Sequence, residues 1–576
     1  MRRLTAVLVV VLLVPAALAS QNAPVPNLDV PSRNGIVVSA TEIASGIGAA
    51  ALERGGSAVD AAVATAFALA VTYPFAGNLG GGGFMVVRAP NGAATAFDYR
   101  ETAPGRSTPT MYLGPDGNIV RALTASGYLA PGVPGTVRGL ALAHRRFGKL
   151  PWKDVVQPSA DLAARGFVIS EALARSLNNE LRGAMSRFPA SVAAYGKPGG
   201  GEWAAGDRLV QPDLATSIAA IAAGGADAFY TGWIADRIAS DMAANGGLID
   251  KQDLAAYAAK ERAPIRGSFL GYDIISMPPP SSGGTALVEA LNVLERAGIQ
   301  KQERSSAAAL HLVTEVRRRV YLDRARFLGD TDFVDVPVKM LTSKSHAKDL
   351  VKTIDRRHAT KSADLGRDIL TVAVATAGEP EETTHFSVID RNGMAVANTY
   401  TLEGGYGSHV VVAGTGILLN NEMGDFNKKP GTTNLTGDIG TAPNVIAPGK
   451  RMLSSMTPTI VTRRGKVVLI TGSPGGRTII NTVLDVVLNV TAWRLTGRDA
   501  IDAVRADHEW MPDRLTIEAN GAAPDVIAAL TAMGHEVVMR GRQGDAHSIW
   551  IDPKTGLAVG VPDARDSGGR AVAAAR

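Results

Sequence analysis

No cysteine occurs in the 576 residues, which excludes disulfides, thiolate metal sites and a cysteine nucleophile. Aromatic residues are few, at 5%, and no dense Lys/Arg run is interleaved with them, so no nucleic-acid surface is expected. Charge of one sign is lacking too, with 59 basic residues against 54 acidic. The longest basic cluster, Arg317-Arg318-Arg319, reads as a solvated helix face. His311 and His358 show no metal-ligand spacing and read as structural, so neither a metal nor a cofactor is expected. After the first twenty residues no apolar run is long enough to span a bilayer. The stretch Ala61 to Val71 is short, Ala-rich and preceded by Asp60, which suits a buried helix.

What is present begins with a leader. Arg2 and Arg3 form a basic start, Leu4 to Val14 an apolar run, and Ala17-Leu18-Ala19 a small-residue cleavage site. Residues 1–19 are therefore expected to be a signal peptide, and the mature chain, from near Ser20, to be periplasmic or secreted. An apolar fraction of 46% is ample for a core.

Residues 20 to 34 are expected to be a mobile lead-in. Gly35 to Ser39 suits a strand, Glu42 to Arg54 a helix stopped by Gly55-Gly56, and Ala58 to Leu69 a helix capped by Ser57. The run Asn78-Leu79-Gly80-Gly81-Gly82-Gly83 lacks the Gly-Lys-Ser/Thr ending of a phosphate loop and leads into a strand, so close backbone packing is the better reading. Arg100 ends a strand at Phe97-Asp98-Tyr99. An arginine there is ordinarily a surface residue, yet a planar guanidinium is also what a carboxylate pocket needs. From Val137 to about Met340 the chain reads as mainly helical scaffold. Gly416 to Phe426 ends a buried strand in acidic groups, and residues 427 to 449 read as a loop covering a pocket. Val467 to Ile470 is a buried strand, Thr478 to Arg494 a helix, and residues 548–551 and 557–560 a closing hairpin before an Ala/Arg tail of little structure.

The most informative stretch is Glu382 to Glu403. Thr384 to Ile389 alternates as a strand should, Asn392-Gly393 is a strong turn signal, and Met394 to Leu402 returns. A three-residue loop with Gly393 left-handed sets a register in which Thr401 lies opposite Thr383. A threonine hydroxyl is a poor nucleophile unless a base takes its proton, and an unblocked α-amino group on the same residue is such a base. The polar segment Ala375 to Glu382 reads as an exposed loop open to cleavage. Thr383 taken alone is equally an ordinary strand residue.

Three motifs together carry a resemblance. Thr383-Thr384-His385-Phe386-Ser387-Val388-Ile389-Asp390, Leu453-Ser454-Ser455-Met456-Thr457-Pro458-Thr459 and Thr471-Gly472-Ser473-Pro474-Gly475-Gly476 resemble the γ-glutamyltransferase family of self-cleaving N-terminal-nucleophile hydrolases. The resemblance runs from about residue 35 to about 565. It implies an α+β fold, a four-layer αββα sandwich built jointly by a large fragment, 20–382, and a small one, 383–576, held as a heterodimer. It implies cleavage between Glu382 and Thr383, with Thr383 as nucleophile and its own α-amine as base. Thr401 would hydrogen-bond the Thr383 hydroxyl, and the N–H groups of Gly475 and Gly476 would stabilise the oxyanion. Arg100, Ser454 and Ser455 would hold a substrate α-carboxylate; Glu403, Glu422 and Asp425 would accept from its α-ammonium. The implied donors are glutathione and other γ-glutamyl compounds, the acceptors water, amino acids or dipeptides. Two rivals stand beside this reading: a same-fold acylase for glutaryl-cephalosporin or poly-γ-glutamate, and a non-catalytic periplasmic binding protein.

Overall fold

The computed structural model describes residues 28–371 and 382–575. The expected signal peptide and residues 375–381 of the cleavable loop lie outside them. Two seven-stranded antiparallel sheets dominate. The first runs, edge to edge, Arg570–Ala573, Gly35–Ser39, Glu382–Asp390, Ala395–Glu403, Gly82–Arg88, Ala94–Tyr99 and Lys260–Arg262. The second runs Val30–Ser32, Ala558–Val561, Ser548–Ile551, Lys466–Thr471, Thr459–Arg463, Tyr272–Ser276 and Ile265–Phe269.

Side chains alternate across each strand, and here both faces are apolar, so the first sheet feeds two cores. Val37, Met85, Val87, Val388 and Val396 point into a core shared with the helices Ala58–Thr72, Thr136–Phe147, Trp152–Arg165 and Pro212–Gly224. Their neighbours Ile36, Val38, Phe84, Val86, Ile389 and Ala397 join a second core with Ile274, Ile460, Leu469, Ile470 and Ile549 of the facing sheet. Beyond that sheet lie the helices Gly283–Ala297 and Thr478–Thr491. The order is helix, sheet, sheet, helix, as a four-layer αββα sandwich requires. Each sheet interleaves strands from both sides of Thr383, so neither can be completed by one side alone.

The hairpin at the centre forms as its turn chemistry dictates. Gly393 is left-handed at φ 83°, its N–H donates to the Asp390 carbonyl at 3.0 Å, and Asp390 N–H donates to Met394 O at 3.0 Å. The Asp390 carboxylate takes the N–H groups of Asn392 and Met394 and, through Oδ2, that of Ala58 at 3.1 Å, tying the turn to a helix start. That helix carries the expected cap: Ser57 and Asp60 exchange side-chain to backbone hydrogen bonds of 3.2 and 2.7 Å.

Several expectations need correction. Arg317, Arg318 and Arg319 are buried, not solvated: Arg317 pairs with Asp485 at 2.6 Å, Arg318 with Asp513 at 2.8 Å and Arg319 with Glu315 at 2.7 Å. Their helix, Ala307–Phe327, is enclosed over most of its length, and buried cations must then be matched by carboxylates. The Ala/Arg tail is an edge strand on Gly35–Ser39, and within the lead-in Val30–Ser32 pairs with Ala558–Val561. The region read as helical scaffold also supplies two strands of the second sheet, Ile265–Phe269 and Tyr272–Ser276. His311 is engaged, its ring nitrogens 2.8 Å from His535 Nε2 and 2.8 Å from Asp355 O, while His358 lies on the surface beside Asp355. Among the described residues no helix is long and apolar enough to cross a membrane.

Candidate active site

Thr383 heads the central strand and is only 4% exposed. The hairpin keeps the expected register from Ile389↔Ala395 to Thr384↔Tyr400, then slips, so that Glu382 faces Glu403. Thr401 and Leu402 share the place opposite Thr383, which makes a β-bulge at the head of the nucleophile strand. Glu403, just past the bulge, has φ 83°, a left-handed conformation costly for a residue with a Cβ.

The bulge redirects Thr401, whose contact differs from the one expected. Its hydroxyl accepts the Glu403 N–H at 2.8 Å and donates to the Glu382 carbonyl oxygen at 2.5 Å. It therefore touches the carbonyl of the peptide joining Glu382 to Thr383, where a bond to the Thr383 hydroxyl was expected. Burial pushes the Glu382 carboxyl up to about 7.

The glycine run explains how the bulge is packed. A Cβ on Gly81 would lie 2.0 Å from Thr401 O, and one on Gly83 2.4 Å from Tyr400 Cβ. Close backbone approach, as expected, is what these glycines permit. Gly472 serves similarly, since a Cβ there would meet the His385 ring at 2.3 Å. Two of the three motifs thus interlock.

Thr383 opens on a cavity of about 1030 Å³, together with Glu382, Glu403, Asp425 and Gly475. Gly475 and Gly476 have φ of 120° and 53° and precede the helix Thr478–Thr491. Thr478 N–H and Oγ1 both donate to Gly475 O, whereas the N–H groups of Gly475 and Gly476 donate to no described residue. Donors of this kind, near a helix start, suit a developing negative charge. The loop 427–449 also lines the cavity through Asn427, Lys428, Lys429 and Asn444. It is anchored by Thr371 N–H to Thr433 O at 2.9 Å and by Arg121 to Asp438 at 2.8 Å.

Arg100 lies behind the cavity wall, fully buried. Its guanidinium donates to Glu422 through Nη1 and to Asp425 through Nη2, and Glu101 stands 3.9 Å away. Burial disfavours the Arg100 charge, but Glu422, Asp425 and Glu101 outweigh it and hold the group protonated. Burial pushes Glu101 up to about 8 against the pull of Arg100, and it raises Glu422 well above the usual carboxylate range too, so the buried acids around Arg100 are suited to share a proton at neutral pH. Glu403, Glu422 and Asp425 present carboxylate oxygens within 4.8 Å of one another, and Arg100 pairs with two of them, Glu422 and Asp425. The groups assigned to opposite ends of a zwitterion are therefore in direct contact with each other.

Ser454 and Ser455 sit one layer back. Ser454 Oγ accepts from Met456 N–H at 3.1 Å and Ser455 Oγ from Arg324 at 3.0 Å, while their neighbours Leu453 and Arg324 reach the cavity. The structure brings Thr383, Glu403, Asp425 and Gly475 to one surface and leaves Arg100, Thr401, Glu422, Ser454, Ser455 and Gly476 just beneath it. Reasoning from sequence missed Tyr73, Asp545 and Asp566 on the same cavity. Burial raises the Tyr73 hydroxyl, and the charges of Asp566, Asp545 and Glu382 raise it further. No local pattern marks these three residues, because only the fold places them together.

Two stacked antiparallel sheets between helical layers, with a hydroxyl heading a central strand beside a cavity, define an N-terminal-nucleophile hydrolase. The family model described as gamma-glutamyltranspeptidase matches residues 44–573. The chain is 45% identical over 534 residues to the glutathione hydrolase proenzyme of Escherichia coli (strain K12), covering 93% of this chain and 91% of that one. It is 38% identical over 557 residues to the acylase ACY 1 proenzyme of Pseudomonas sp. (strain SE83), covering 94% and 95%. The crystal structure of cephalosporin acylase from Bacillus halodurans superposes with a TM-score of 0.82 over 97% of this chain and 99% of that one, at 24% identity, a likeness of fold. The chain belongs to the γ-glutamyltranspeptidase family.

Proposed function

We propose that this chain is a self-processing γ-glutamyltransferase and glutathione hydrolase, exported after loss of residues 1–19 and cut between Glu382 and Thr383 into a heterodimer of residues 20–382 and 383–576. The observation that carries this reading is the Thr401 hydroxyl on the Glu382 carbonyl, one residue before a threonine that faces the cavity.

In processing, Thr383 Oγ attacks the Glu382 carbonyl carbon, the C–N bond breaks, and the nitrogen takes the proton to become the α-amine. Water then hydrolyses the ester. In turnover, that amine takes the Thr383 hydroxyl proton as the oxygen attacks the donor's γ-carbonyl, and passes it to the leaving amine. Gly475 and Gly476 N–H groups stabilise the tetrahedral oxyanion, and water or an amino acid or dipeptide resolves the γ-glutamyl ester.

Binding a zwitterion involves an exchange of partners. The donor's α-carboxylate takes a place on Arg100, with support from Ser454 and Ser455. Asp425, Glu403 and Glu422 then accept from the α-ammonium. The exchange conserves charge pairs, which matters where an unpaired buried ion costs several kcal/mol.

The likeness to an acylase proenzyme favours a second reading, hydrolysis of glutaryl amides. A glutaryl group has no ammonium, so Asp425 would have nothing to accept from. The test compares γ-glutamyl and glutaryl anilides, with and without glycylglycine, alongside a denaturing gel and N-terminal sequencing of the smaller band. Turnover of the γ-glutamyl anilide by a two-band protein whose small band begins at Thr383 supports the proposal. Faster turnover of the glutaryl anilide would overturn it in favour of the acylase.

A further inference from the structure

Asp545, His547 and Asp566 form a second constellation on the wall of the same cavity, outside the machinery described above. One ligand-type atom from each lies within 4.8 Å of the others. His547 Nε2 is 3.0 Å from Asp545 Oδ2 and 3.9 Å from Asp566 Oδ2. The imidazole is 0% exposed; Nε2 has Asp545 beside it within the cluster, but Nδ1 makes no hydrogen bond with any described residue, and Asp545 Oδ1 and Asp566 Oδ2 are equally unsatisfied. Buried polar atoms without partners are rare, and three in one place call for an occupant.

The local cations do not supply it. Arg565, next to Asp566, is committed to Glu518 and to Asp563 at 3.2 Å. Asp545 and Asp566 line the cavity beside Gly544 and Gly475, so an ion there would keep open coordination positions. The ring is fixed from behind, since a Cβ on Gly569 would lie 2.4 Å from His547 Cε1. In the other two histidine-carboxylate groups, a carboxylate is already paired with an arginine from outside the group: Glu315 with Arg318 and Arg319, Asp323 with Arg326 at 3.7 Å.

We propose that Asp545, His547 and Asp566 bind one borderline divalent cation, of the zinc and cobalt class, on the wall of the catalytic cavity. One nitrogen and two carboxylate oxygens suit such an ion better than Mg²⁺ or Ca²⁺, which favour all-oxygen shells. Two ligand atoms about 2.1 Å from an ion at tetrahedral or octahedral angles lie about 3.0 to 3.4 Å apart; His547 and Asp545, at 3.0 Å, already match, and the Asp566 oxygen, 3.9 Å from His547, would have to close in. The site is joined to the catalytic frame on two sides. Asp545 N–H donates to Ser473 Oγ at 2.9 Å in the glycine loop, and His547 O accepts from Ser387 Oγ at 2.8 Å on the nucleophile strand.

The test is calorimetry of untagged, chelator-treated protein with Zn²⁺, repeated with Mg²⁺ and Ca²⁺, together with the visible spectrum of the Co²⁺-loaded protein. One saturable equivalent of Zn²⁺, at least tenfold weaker in both His547→Gln and Asp566→Asn, with a Co²⁺ absorption band lost in the same variants, is the expected result. Asp566→Asn sits on a half-exposed loop and conserves volume, so it keeps the test open should His547→Gln fail to fold. No saturable equivalent, equal binding in the variants, or tighter binding of Mg²⁺ or Ca²⁺ would overturn the proposal. The readout is binding, so it stands or falls separately from the γ-glutamyl activity.

Discussion

The Thr401 hydroxyl bridges the Glu403 N–H and the Glu382 carbonyl oxygen, and this fixes where its proton points. An N–H can only donate, so the hydroxyl must accept there and donate to Glu382. A donor on that oxygen stabilises the negative charge that grows when the carbonyl is attacked. Removing one such donor typically costs about 10²–10³ in rate. Thr401→Ala is therefore expected to slow self-cleavage by that order while Thr401→Ser stays near wild type, read from the time course of two bands on a denaturing gel. Equal rates in Thr401→Ala and wild type would remove Thr401 from the processing step.

Thr383→Ala has no hydroxyl to attack Glu382 and is expected to remain one band with no turnover. Thr383→Ser keeps the nucleophile and is expected to be cut more slowly. Two bands from Thr383→Ala would show that another residue, or a separate protease, makes the cut.

Arg100 has carboxylates on both terminal guanidinium nitrogens and a third nearby. Arg100→Met leaves them facing one another in a buried place, and breaking such a pair costs about 3–5 kcal/mol. Urea unfolding of the uncleaved Thr383→Ala background, with and without the change, gives the value; a loss under about 1 kcal/mol would mean that the acids simply take up protons.

Asp425 has the most exposed carboxylate of the Arg100 set, its side chain 20% exposed, and lies on the cavity. Asp425→Asn is expected to raise KM for a γ-glutamyl anilide at least tenfold and to leave KM for a glutaryl anilide little changed, since only the first carries an ammonium. Parallel losses on both substrates would assign Asp425 to structure instead of recognition.

Glu382 titrates near 7 in the fold and near the usual 4.5 when unfolded. Between those values the folded chain binds the additional proton, so stability falls as pH rises from about 4.5 to 7. With partial screening the fall should be roughly 1–2 kcal/mol, less than the ~3 kcal/mol of the full shift. The Thr383→Ala protein is expected to show this slope and the Thr383→Ala/Glu382→Gln protein to lack it, in melts across that range. Identical slopes would place the titration elsewhere.

Much of this was legible in local pattern. The hairpin, its left-handed Gly393, the Ser57 cap and the tight glycine run follow from turn chemistry and sterics acting over a few residues. The bulge at Thr383 was not, because one extra residue on the partner strand leaves the alternation of each strand intact. Nor was the burial of Arg317 and Arg318, which pair with Asp485 and Asp513 far along the chain. Arg100 was legible as a carboxylate binder, but not that its carboxylates include Glu422 and Asp425. Asp545, His547 and Asp566 carry no spacing that separates them from ordinary loop and strand residues.

The strand Arg570–Ala573 is laid along Gly35–Ser39, which in turn borders Glu382–Asp390, the strand that carries Thr383. Residues 570–573 must be made before that edge can close, and long-range pairing of this kind is slow to assemble. The proposed scission before Thr383 would then be a late event that reports completed folding, and a chain truncated before residue 570 should accumulate uncut.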